Sequence, residues 1–198
     1  DYKKTNPNKL ELRKKYKIKT DKEIIYIPTS LLIDETIDLL DKYLRINFPK
    51  KDSMFLIIKC HPASNKLFFN NIKNFLDNNI SADSFKIIDH EVNNYDLLYM
   101  SKTSIFMGGS MAIESIALNQ NPVVYLSKNN FSHNPLSYFK ETIHFAHDEK
   151  SLENALINLN RDRKIENRDE IIDWFFSYLD DDPYVNFISN FTNIFKKG

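Results

Sequence analysis

A small set of residues in the middle of this chain has the types and spacing needed to hold a phosphorylated ligand. Gly108 and Gly109, two of only three glycines in 198 residues, stand side by side between an apolar run (104–107) and an amphipathic run (111–118). A glycine turn leading from strand to helix leaves unpaired backbone N–H groups and a positive dipole end, which suits a phosphate. Ser110 follows, in the position expected of a helix N-cap, where its hydroxyl would accept from a backbone N–H. Glu114 stands four residues further on, on the same helix face. A carboxylate there could take both hydroxyls of a ribose while Ser110 and the Gly109 and Ser110 amides hold phosphate oxygens. The ordinary alternative is a plain cap, with a first-turn glutamate favoured by the helix dipole by ~0.3–1 kcal/mol.

His61 is a second candidate. It follows a strand-like run directly, and Pro62 behind it restricts its backbone to extended or turn geometry. A histidine so placed can donate to a phosphate or a sugar hydroxyl; the competing reading is a structural histidine. The other histidines, His90, His133, His144 and His147, have no metal-ligand spacing with cysteines or carboxylates, so no metal site and no cofactor are expected. The Asp180-Asp181-Asp182 cluster reads as a turn or cap. No Gly-x-Gly-x-x-Gly fingerprint, P-loop or Gly-x-Ser-x-Gly elbow occurs, which disfavours dinucleotide binding, ATP hydrolysis and the serine-hydrolase elbow.

The elements that must position these groups alternate. Strands are expected at 23–27, 54–59, 85–88, 103–107, 122–126 and 142–145, and helices at 34–46, 66–78, 95–100, 111–119, 151–160, 167–179 and 183–197. The strands are continuous apolar runs, as in a sheet covered on both faces. Repeated β-α units with short connections predict an α/β fold, a doubly wound, mostly parallel, Rossmann-like sheet of about six strands with a C-terminal helical pair. Such sheets bind ligands beyond the carboxyl ends of their strands. There the sequence gathers Pro28-Thr29-Ser30, His61-Pro62, Asp89-His90-Glu91 and Gly108-Gly109-Ser110. Residues 1–20, polar and lysine-rich, read as a linker with one short helix (10–16), and 21–198 as the domain.

Composition narrows the class. Lys plus Arg and Asp plus Glu number 27 each, and this zero net charge argues against a general nucleic-acid binder. With 42% hydrophobic residues the chain can fill a sizeable core. Cys60 is the single cysteine, which excludes an internal disulfide and fits a reducing compartment; it reads as a buried structural thiol. No 18-residue apolar stretch and no signal-peptide pattern is present. The chain begins at Asp1 rather than methionine, which reads as a piece of a longer protein.

Taken in order, Lys59-Cys60-His61-Pro62, Asn94-Tyr-Asp96-Leu-Leu98, Ser104-Ile-Phe-Met-Gly-Gly-Ser-Met-Ala-Ile-Glu114 and Leu118-Asn-Gln-Asn-Pro122 resemble the C-terminal, nucleotide-sugar-binding half of GT-B-type glycosyltransferases. The nearest group is the bacterial capsule and surface-polysaccharide enzymes with a His-Pro motif. The resemblance spans 22–195. It implies a nucleotide-sugar donor and a glycan or glycolipid acceptor, with no metal. It also implies a cytoplasmic protein, peripheral on the inner membrane face. His61 would contact the donor's phosphate or sugar and is the catalytic candidate; Gly109 and Ser110 would bind phosphates, and Glu114 the ribose. With Pro62, Gly108 and the strand-end Ser30, these form the expected donor site. The helix at Asp96 would position a loop near the base, and the closing aromatic helices resemble those that cross back onto an N-terminal domain. That domain, which in the family carries the acceptor and usually the catalytic base, is missing here. Three other readings stand beside this one: a UDP-sugar 2-epimerase relative, a CDP-alcohol phosphotransferase of the teichoic-acid type, and a non-catalytic nucleotide-binding module.

Overall fold

Strand β2, Met54–Lys59, is buried at all six positions, and it sets the architecture: a strand with no solvent face needs helices on both sides. The computed structural model describes residues 8–18, 20–48, 51–88, 91–108, 110–127, 136, 139, 143–159 and 167–176. Over these the chain runs α1 (Lys9–Lys15), β1 (Glu23–Pro28), α2 (Ile33–Arg45), β2, α3 (Lys66–Asn79), β3 (Phe85–Ile88), α4 (Asn94–Met100), β4 (Thr103–Phe106), α5 (Ser110–Ala117), β5 (Val123–Tyr125), β6 (His144–Ala146), α6 (Glu149–Leu159) and α7 (Arg168–Phe176). The expected helix at 183–197 and the Asp180–Asp182 cluster lie outside the described residues.

All strand pairs are parallel, in the order β3-β2-β1-β4-β5-β6. This is the doubly wound, Rossmann-like α/β fold. The order reverses between β1 and β4, because the chain moves outward from β1 to β3 and then returns to the other side of β1. Successive strand residues point to opposite faces. Accordingly Ile25, Ile27, Leu56 and Ile58 join the core beneath α2, α3 and α6. Ile24, Tyr26, Phe55 and Ile57 join the core beneath α4 and α5, where Leu12 of α1 and Ile171 of α7 also pack. Cys60 is buried in the first of these cores, as a small apolar side chain.

Helix α1 is held by specific polar contacts. The Lys15 ammonium meets the buried Asp96 carboxylate of α4 at 2.7 Å, and the Tyr16 hydroxyl donates to the same oxygen. The Arg13 guanidinium donates to the Thr20 and Lys22 carbonyls. Among the described residues no helix is long and apolar enough to cross a membrane.

Candidate functional site

The β1/β2 register ends on the pair Pro28↔Lys59, and Tyr26↔Ser104 brings β4 alongside β1. These registers place the loops after β1, β2 and β4 at one edge, over the point where the strand order reverses. Two hydrogen bonds lock the first two loops together. The Thr29 N–H donates to the Lys59 carbonyl at 2.9 Å, and the His61 N–H donates to the Thr29 hydroxyl at 2.9 Å. Between the three loops lies a cavity of about 510 Å³. It is lined by Tyr26, Pro28, Thr29, Ser30, Lys59, His61, Pro62, Asn94, Gly108, Ser110, Met111 and Glu114, among others. Six of the seven expected site residues therefore surround one space; the seventh, Gly109, lies outside the described residues.

His61 is held by two local hydrogen bonds. Its Nδ1 accepts from the Ala63 N–H at 3.1 Å, and its carbonyl accepts from the Ser64 N–H at 2.8 Å. An accepting Nδ1 puts the ring proton of the neutral imidazole on Nε2. The ring thus offers the cavity a donor.

Gly108 has φ 112°, a conformation open to glycine and costly for a side chain with a Cβ. It turns the chain from β4 into α5. Ser110 is the first residue of α5 and not the N-cap that its position in the sequence suggested. The helix begins one residue earlier than expected, so the Ser110 N–H itself is one of the amides without an intrahelical acceptor. Those amides and the positive end of the helix dipole face the cavity.

Glu114, one turn into α5, accepts a hydrogen bond from the Tyr95 hydroxyl. Burial and this carboxylate together raise the Tyr95 phenol above its usual range. Tyr26, deeper in, is raised mainly by burial and further by the Glu114 charge. Both phenols are therefore protonated donors at neutral pH, and the Glu114 carboxylate keeps acceptor capacity for a ligand.

Ser30 lines the cavity, yet its hydroxyl is committed to the entry of α2. It donates to the Glu35 carboxylate and accepts from the Leu32 N–H at 3.1 Å. Asp96 turns away from the cavity toward α1, although α4 does carry Asn94 to the site.

Four contributors were assigned no role from the sequence, although three of them stand in the quoted motifs: Lys59, Asn94, Tyr95 and, outside those motifs, Tyr26. The Lys59 ammonium donates to Asn94 Oδ1, which also accepts from the Tyr26 hydroxyl at 3.3 Å. A signal for Lys59 did exist. It ends an otherwise apolar strand two residues before His61, and strand alternation puts it on the same face as Ile57. Among the described residues no three His, Cys, Asp or Glu side chains converge as metal ligands.

No family model matches the chain, and no curated protein matches it. Solved structures do share its fold. HepE of Anabaena, in complex with UDP and glucose, has a TM-score of 0.61 at 11% identity, over 84% of this chain and 47% of that one. A glycosyltransferase from Rickettsia africae has a TM-score of 0.60 at 15% identity, over 85% and 48%. The UDP-GlcNAc 2-epimerase of Neisseria meningitidis, bound to UDP-GlcNAc, has a TM-score of 0.54 at 14% identity, over 82% and 42%. The chain spans less than half the length of each of these three proteins.

Proposed function

We propose that this chain binds a nucleotide-activated sugar, as the donor-binding domain of a GT-B-type glycosyltransferase that builds a cell-surface polysaccharide. The observation that carries the reading is the convergence of an open helix N-terminus, the His61 Nε2–H and the Glu114 carboxylate on one cavity at the strand-order reversal. Each group matches one part of such a ligand. The amides at the start of α5 and the His61 Nε2–H donate to phosphate oxygens. Glu114, already oriented by Tyr95, accepts from ribose hydroxyls. The similarity of fold to proteins solved with UDP or a UDP-sugar supports the assignment.

In a transfer reaction the bond from the anomeric carbon to the donor phosphate breaks, and negative charge develops on the phosphate that leaves. Preorganised donors aimed at that charge lower the barrier, because they need no reorganisation as it forms. The start of α5 and His61 supply those donors here. The acceptor, a glycan or glycolipid, and the group that deprotonates it belong to a second domain in this reading, which places the enzyme in the cytoplasm against the inner membrane face.

Calorimetric titration of CMP, CDP, UMP and UDP into the chain and into Glu114→Ala tests the proposal. Selective binding to the first, weakened about tenfold or more in the second, is the expected result. Absence of binding by the folded chain would overturn it. The preferred base separates a UDP-sugar donor from the CDP-alcohol of a teichoic-acid-type transferase.

A further inference from the structure

Lys59 is a charged side chain where a strand would ordinarily carry an apolar one. It is 5% exposed, at the last position of the fully buried β2. Its ammonium has three donors, and the one acceptor found for it among the described residues is the neutral Asn94 Oδ1. Among the described residues no carboxylate forms an ion pair with it. A desolvated ammonium with one neutral partner is unfavourable for the fold. It lines the cavity, and among the described lining residues it is the fixed cation and Glu114 the fixed anion.

Its position is as informative as its burial. β2 and β4 flank β1 on opposite sides, so their ends stand roughly 10 Å apart across the sheet. The start of α5 rises from the β4 side. Asn94 Oδ1, shared with Tyr26 of β1, draws the Lys59 ammonium inward from the β2 side. The crevice therefore has anion-holding groups on both sides of β1, the backbone amides at the start of α5 on one and the Lys59 charge with the His61 Nε2–H on the other. A single phosphate engages one side. Two linked phosphates can engage both.

We infer that Lys59, positioned by Asn94, is an anion-binding group of this site beside the α5 amides and His61, and that its charge makes the site selective for nucleoside diphosphates over nucleoside monophosphates. This rests on the nucleotide reading above and goes further, since it selects donors joined through a diphosphate and disfavours donors built on a nucleoside monophosphate.

The test titrates UDP, UMP, CDP and CMP into the chain, Lys59→Met and Asn94→Asp. The unaltered chain should prefer the diphosphate of its favoured base about tenfold or more. Lys59→Met should lose most of that preference while its monophosphate affinity changes less than about threefold. Its unliganded melting temperature should not fall, because the substitution removes an uncompensated buried charge. Asn94→Asp gives the ammonium a full charge partner; it should likewise lower diphosphate affinity while leaving the fold at least as stable. Equal losses of mono- and diphosphate binding in Lys59→Met, or an undiminished diphosphate preference in both variants, would overturn the inference and leave the nucleotide reading standing. No binding of any of the four by the unaltered chain would overturn both.

Discussion

The two edges of the sheet carry cavities of similar size, about 510 Å³ at the carboxyl ends of the strands and about 430 Å³ at the amino ends. Volume does not tell them apart; the state of their polar groups does. At the amino edge the side chains serve the fold. Ser101 donates to the Leu97 carbonyl, Thr103 to the Asn121 carbonyl, and the Gln120 amide to the Leu98 carbonyl. At the carboxyl edge His61 Nε2–H, Lys59, Glu114 and the first amides of α5 keep capacity directed into the space between the loops.

Helix α5 makes the same contrast within one element. Its carboxyl end is fully closed. Asn119, at φ 64°, provides the left-handed turn; its N–H donates to the Ile116 carbonyl, and the Gln120 N–H to the Ser115 carbonyl. The Arg168 guanidinium of α7 donates to the Ile116 and Ala117 carbonyls at 3.0 and 2.8 Å. Its amino end opens onto the cavity. One helix is thus fixed at the end that needs rigidity and left unsatisfied at the end that meets ligand.

This contrast can be broken from either side. The largest effect is expected at the amino edge, where Gln120→Ala takes one of two donors from the Leu98 carbonyl and the acceptor from the buried Ser115 hydroxyl, and should cost about 1–3 kcal/mol in denaturant unfolding. Nucleotide affinity of the folded variant should be unchanged. At the carboxyl edge, His61→Ala should reverse the pattern: affinity lowered about tenfold, with unfolding free energy within roughly 0.5 kcal/mol of the unaltered chain. Arg168→Ala removes a cap from the closed end of α5 and should cost about 0.5–1 kcal/mol of stability. If it also weakens nucleotide binding, α7 is tuning the amino end of that helix through its axis.

The smallest effect concerns pH. Burial would raise the Asp38 carboxyl, but hydrogen bonds from Lys42 and from Tyr125 at 2.5 Å outweigh it and hold the group below its ordinary value. A depressed carboxylate contributes stability above its unfolded pKa of about 3.9, and that contribution is lost as pH falls through the lower folded value. Tyr125→Phe should therefore be less stable than the unaltered chain by a few tenths of a kcal/mol near pH 7, and the gap should close on acidification below about pH 4. Acid titrations of both proteins, followed by circular dichroism, would measure it.

The sequence made the frame legible to different depths. β2 and β3 fall on 54–59 and 85–88 as expected, because each is an unbroken β-type run. Helix ends shift by a few residues, since their limits depend on capping geometry that the apolar period does not encode. Ser110 is one such case: α5 starts one residue earlier than expected, while the Ser110 N–H remains without an intrahelical acceptor, as the turn requires. The helix at α1 was visible, but its attachment was not, because Lys15 and Tyr16 reach Asp96 across some 80 positions of chain. Lys59 was hidden for a related reason. A lysine ending a strand reads as solvent-facing, and only the register beside β1 and the approach of Asn94 reveal that it is buried.

The most direct test of the contrast between the two edges is a titration of uniformly ¹⁵N-labelled protein with UDP and CDP, read through backbone amide shifts. Saturable changes are expected at Thr29, His61, Ser110 and Met111, with Ser101, Lys102 and Gln120 still. Changes centred on the amino edge, or none at either edge, would contradict that contrast.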